Sequence, residues 1–203
     1  MLRAVVSSIG DTACYDVGMA SLQGKLLLAA PAMMDPNFAR SVVLIVRHDG
    51  EGALGLVLNR PTGAMVKEAI ESGDGWACTS EAELLRGGPC DGPLMVLHSD
   101  AELAQETVLA GVYFSVESDL VRELLSGEVM QARFFHGYAG WAAGQLDAEM
   151  AAGGWLTLDA TVDNVFEPGM DAESWSELMK QRGREELKGQ INPNLIPPDP
   201  TVN

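Results

Sequence analysis

Apolar residues along this chain fall into two kinds of run. Residues 25–30, 42–46 and 54–58 are short, nearly continuous apolar stretches. Runs of that length without alternation suit strands covered on both faces. Asp49-Gly50 separates the second from the third, which predicts an antiparallel hairpin. Residues 94–98, Tyr113-Phe114, 130–135 and 155–158 read as further strands, with 162–165 as part of the last or as one more. Other segments carry helical spacing. Thr62 leads a helix with Met65, Val66, Ala69 and Ile70 on one face, ending near Gly73. Ser80 and Glu83 have the form of a capping box for a short helix through Leu85. Ser118 caps a helix that turns Leu120, Val121, Leu124 and Leu125 inward and stops at Gly127. Residues 141–152 read as a helix closed by Gly153-Gly154. Residues 171–188 read as an amphipathic one with Trp175, Leu178 and Met179 on its buried stripe.

Strands interspersed with helices point to an α+β fold, and no internal repeat is present. Residues 1–18 lack a periodic apolar face and read as a loosely ordered extension or the product of an upstream start; residues 19–190 form a single domain. Pro193, Pro197, Pro198 and Pro200 make 191–203 an extended, mobile tail.

Charge narrows the function classes. Twenty-nine acidic residues against 13 Lys and Arg give a net charge of −16, a field that opposes nonspecific nucleic-acid binding. Cys14, Cys78 and Cys90 are an odd set with no CxxC spacing, which argues against a disulfide framework or zinc site and for a reducing compartment. No apolar run approaches the roughly 20 residues of a membrane helix, and no secretory signal is visible. The expected location is the cytoplasm.

Candidate chemistry is sparse. Residues 50–55 spell GxGxxG, but a strand follows where dinucleotide binding needs a helix, so a hairpin turn explains the glycines. No GxSxG, HExxH, Walker or SxxK motif occurs, and no metal or cofactor site is indicated. His48 reads as a polar residue beside a turn. His98, at a strand end, is the acid–base candidate by position, although a satisfied structural histidine is the simpler reading. The most chemically loaded segment is the elbow Asp35, Asn37, Phe38, Arg40 and Ser41. Its structural reading is an Asx-type turn, with Phe38 plugging the core edge and Arg40 paired to a carboxylate. Its functional reading joins Asp35 and Arg40 to Asn59 and Arg60 and to a helix start at Gly137, Tyr138 and Gly140, whose free N–H groups would hold an anion.

Four signatures also resemble, in order, those of the YqgE/AlgH family, a bacterial group of largely unassigned activity. They are the block 24–61, Gly87-Gly88-Pro89 before the 96–98 strand end, Gly111-Val112-Tyr113, and Gly137-Tyr138-Ala139-Gly140-Trp141 with Gly144-Gln145-Leu146. Cys90, where family members usually carry an aliphatic residue, and His136 are local departures. The resemblance implies a mixed sheet curled toward a barrel and flanked by helices. It also implies a regulatory role, transcription included. The resulting reading is a non-enzymatic regulatory or binding protein with a protein or small anionic partner and no membrane span. The alternative is an enzyme or sensor for a small anionic metabolite, with His98 or Tyr138 as acid–base and Arg40 and Arg60 as clamps.

Overall fold

The computed structural model describes residues 20–71, 80–126 and 131–190. The expectations for 1–18, Gly73, Gly127 and the tail from 191 lie outside the described residues. The chain runs β1 (Lys25–Ala29), β2 (Val42–Asp49), β3 (Gly52–Val57), β4 (Pro61–Met65), α1 (Val66–Glu71), β5 (Glu83–Arg86), β6 (Cys90–His98) and β7 (Glu106–Leu109). It continues through β8 (Val112–Ser115), α2 (Ser118–Ser126), β9 (Ala132–Ala142), α3 (Gln145–Ala151), β10 (Trp155–Asp159), α4 (Val162–Phe166) and α5 (Ala172–Gln190). The strand order is β10-β1-β2-β3-β9-β6-β8-β7, with β4 and β5 attached beside β9. Pairing is antiparallel except between β5 and β9, so the sheet is mixed. It curls until its ends approach one another. The Gln23 amide donates to the Thr107 carbonyl at 2.9 Å, and Arg47 on β2 pairs with Glu106 on β7. This is the expected α+β half-barrel.

The unalternating apolar strands follow from this curl. Leu26, Leu28, Val42, Leu44 and Val46 face a core shared with Phe135, Val165, Met170 and Leu178. Their neighbours Leu27, Ala29, Val43 and Ile45 face a second core against Leu146 of α3. A third cluster lies under α1 and α2 and contains Leu84, Val96 and Phe134. Strands buried on both faces read as near-continuous apolar runs. Arg133 crosses the first core, donating to Leu58 O at 2.7 Å and Val165 O at 3.0 Å. Burial pushes its pKa down to about 10.

Several local expectations are corrected. Glu83–Arg86 is strand β5, not a capped helix, because Leu84 and Leu85 pair with Phe134 and Phe135 and are buried there. Pro61–Met65 is strand β4, so the first helix starts at Val66 rather than Thr62, and Met65 is exposed. Residues 162–166 form α4, not a strand: Thr161 Oγ1 accepts the Asn164 N–H at 3.1 Å and caps it. Leu120 is only partly buried, whereas Val121, Leu124 and Leu125 are inward as expected. The strand expected at 130–135 extends through Ala142, and α3 begins only at Gln145. Strand β7 carries no signal that sequence reading used.

Candidate functional site

The elbow between β1 and β2 is built by its own polar side chains. Asp35 Oδ1 accepts the Asn37 N–H at 2.8 Å, and the Asp35 carbonyl accepts from Phe38 and Ala39 at 3.0 and 2.7 Å. This is the expected Asx turn. Arg40 takes φ 56°, a left-handed conformation rare outside glycine, and its carbonyl accepts from Asn59 Nδ2 at 2.9 Å. The Arg40 guanidinium is exposed and forms no ion pair among the described residues, contrary to the expected carboxylate partner. Asn59 is buried, accepting from Val42 N at 2.9 Å and donating to Arg40 O and Asp171 O. It ties the elbow to β3 and to the start of α5, leaving little capacity for a ligand.

Phe38 swings across the elbow onto two tryptophans. Its ring stacks on Trp141 at 6.2 Å and meets Trp155 edge-on at 5.4 Å, while the two indoles meet edge-on at 6.1 Å. Such offset and edge geometries are the favoured aromatic arrangements. Both indole N–H groups donate to Glu149 Oε2, at 3.0 and 2.9 Å, and Gln145 Nε2 donates to Oε1 at 3.0 Å. The carboxylate on α3 thus locks the end of β9 to the first residue of β10. Beside this cluster opens a cleft of roughly 510 Å³, bordered also by Met33, Met34, Asp35, Pro89 and Gly154. Met34 stands 88% exposed at its mouth. Aromatic faces and flexible thioethers suit an apolar group, and the Asp35 and Glu149 carboxylates oppose an anion.

Across Pro89 lies a smaller cavity of roughly 70 Å³, bordered by Asn37, Arg60, Arg86 and Gly88 among others. Arg60 is half-buried, and burial holds its pKa below the ordinary value. Its guanidinium donates to Ala39 O at 2.5 Å and Asn59 O at 3.2 Å.

The expected site residues are therefore divided. Asp35 and Gly140 border the large cleft and Arg60 the small cavity, while Arg40, Asn59, Gly137 and Tyr138 border neither. Gly137, Tyr138 and Gly140 lie inside β9, so the helix start expected there does not exist and offers no free N–H groups. Their glycines serve packing. A Cβ on Gly87 would stand 2.2 Å from Gly137 O, and one on Gly88 only 2.1 Å from the Tyr138 backbone. His98 is fully buried, with Nε2 3.0 Å from Ser115 Oγ, and burial lowers its pKa. Glu149, Trp155 and Arg86 carry no motif of their own in the sequence. Arg86 directly precedes Gly87-Gly88-Pro89, and that adjacency is the available signal. The aromatic cluster assembles from three distant segments, of which the elbow with Phe38 and the motif ending at Trp141 stand out in the sequence and Trp155 does not.

Comparison with known proteins places these features in a family. The AlgH-like family model matches residues 26–186. A UPF0301 protein of Chlorobium chlorochromatii is 40% identical over 166 residues, covering 79% of this chain and 86% of the relative. A UPF0301 protein of Streptomyces avermitilis is 36% identical over 195 residues, covering 91% and 97%. The solution structure of the AlgH protein from Pseudomonas aeruginosa superposes with a TM-score of 0.69 at 29% identity, covering 92% of this chain and 99% of that one. A crystal structure from Corynebacterium diphtheriae gives a TM-score of 0.63 at 28% identity, covering 78% and 85%. With the family model matched over residues 26–186 and relatives of this identity and coverage, the chain belongs to the AlgH-like family.

Proposed function

We propose that this protein is a non-enzymatic binding protein of the cytoplasm, acting in regulation by holding an apolar group of a partner in the Phe38–Trp141–Trp155 cleft. One observation carries the reading. Glu149 is engaged by two indoles and an amide, which fixes the aromatic wall before any ligand arrives and commits the carboxylate to structure rather than to proton transfer. A wall already ordered loses little freedom on binding. Any effect on transcription would run through that partner, because a net charge of −16 opposes direct contact with nucleic acid.

The test uses Met34, whose exposure at the mouth allows a charge without disturbing the core. Native mass spectrometry of protein isolated from its own cytoplasm should find a bound molecule or partner that Met34→Glu releases, with the melting temperature unchanged. If the isolated protein carries nothing and its tryptophan fluorescence ignores every fraction of the cytosol, the reading fails. Salt-sensitive DNA binding by the purified protein would overturn the indirect route to transcription.

A further inference from the structure

The small cavity beside the cleft gathers charge that the rest of the molecule does not neutralise. Lys25, Arg47, Lys67, Arg122 and Arg182 each stand beside a carboxylate. Arg60 and Arg86 form no ion pair among the described residues, and no acidic residue borders the cavity they share. Their placement is fixed by backbone. Pro61 pairs with Leu85, and the Arg86 N–H donates to Arg60 O at 2.8 Å, so Arg60, directly before β4, is held beside Arg86 at the end of β5. Arg60 is further held by the carbonyls of Ala39 and Asn59, which use two of its five N–H donors. A purely structural role explains Arg60, which ties the elbow to β4. It does not explain Arg86, which is exposed and adds a second cation to the same small volume. In a chain with 29 acidic residues and 13 basic ones, two guanidinium groups sharing an acid-free cavity are an attraction for one anion.

We propose that this cavity binds the phosphoryl group of a small phosphorylated molecule. Its roughly 70 Å³ gives room for a group of that size. A phosphoryl group carries a charge of about −1.5 to −2 at neutral pH, which matches two guanidiniums as a carboxylate does not. Planar guanidinium forks present paired donors to phosphate oxygens, and the unused donors of Arg60 and Arg86 supply them. The cavity borders the elbow at Pro36 and Asn37 and shares Arg60 with the anion site expected from sequence, with Arg86 rather than Arg40 as the second cation. It stands on a different cavity from the aromatic cleft and does not depend on what that cleft binds.

The experiment follows phenyl phosphate by phosphorus NMR and by thermal shift at constant ionic strength, with benzoate as a carboxylate arm. Wild-type protein should bind phenyl phosphate saturably, and more tightly than benzoate. Arg86→Gln should weaken that binding roughly tenfold or more while melting like the wild type, and Arg86→Lys should restore part of it. Met34→Glu should leave it unchanged, which separates this site from the cleft. No saturable binding, or binding that survives Arg86→Gln, overturns the proposal. Equal binding of benzoate overturns the phosphoryl assignment. Should Arg86→Gln melt early, Arg86→Lys becomes the deciding variant, and wild-type affinity in it counts against the guanidinium fork.

Discussion

His98 illustrates how one buried side chain settles its own chemistry. The Ser115 hydroxyl donates its single proton to Leu103 O at 2.7 Å and accepts from Gln105 N at 3.1 Å. At 3.0 Å from that oxygen, His98 Nε2 is assigned as the donor, and the ring is fully buried with Asp100 beside it. Burial holds the pKa below 6.5, and the nearby Asp100 offsets this only in part. Such a sealed, neutral ring is a poor acid–base catalyst and a good sensor of folding. The unfolded chain takes up a proton near pH 6.5 while the folded ring refuses it. Stability is thus fully present above 6.5 and is lost as pH falls toward the folded value, at about 1.4 kcal/mol per pH unit where the folded ring is neutral and the unfolded one charged. Urea titrations across this range should show that loss. His98→Gln, which keeps an N–H donor for Ser115, should flatten the profile below pH 6.5. An unchanged profile in the variant would assign the acid sensitivity to other groups.

At the scale of elements, strand β9 organises both the fold and the cavities. One edge pairs with β6; the other pairs first with β5 in parallel and then with β3 in antiparallel. The change of neighbour falls at Gly137, which takes φ 73°, and there the Gly87-Gly88 backbone crosses β9 at contact distance. Gly88→Ala would place a methyl group 2.1 to 2.3 Å from the backbone of Tyr138 and Ala139. Backbone cannot move aside as a side chain can, so the substitution should cost about 3 kcal/mol or more. It should also loosen the wall of the cleft at Trp141. Thermal melts test the first effect and tryptophan emission the second; a wild-type melt would mean that the two backbones separate freely. This crossing also marks the limit of what sequence reveals. Continuous apolar runs disclosed β1, β2 and β3 because burial on both faces writes itself into every position. Residues 83–86 and 137–142 carry helix-like or glycine-rich signals, and only pairing with distant strands makes them β5 and the end of β9. For the same reason the elbow around Asp35 and Phe38 was legible as a turn. Its partners Trp141, Trp155, Glu149 and Arg86 come from segments that meet only in the folded chain.

Charge belongs to the molecule as a whole. Net −16 is spread over a surface whose ion pairs at Lys25, Lys67, Arg122 and Arg182 are exposed. Such pairs contribute about 0–1 kcal/mol each and weaken as salt screens them. Repulsion among the excess carboxylates acts over longer distances and is screened first. The two effects of salt oppose one another, and with 29 acidic residues to 13 basic the repulsion is the larger. Raising sodium chloride from about 0.01 M, where the Debye length is about 30 Å, to about 0.15 M, where it is about 8 Å, should therefore raise the melting temperature. Chloride at these concentrations also screens the Arg60–Arg86 cavity, so the sign is best read in Arg86→Gln beside the wild type. A parallel rise in both is the response of the whole surface. A rise confined to the wild type would mean that chloride occupies the cavity, and a fall in both would place the ion pairs above the net charge in setting stability.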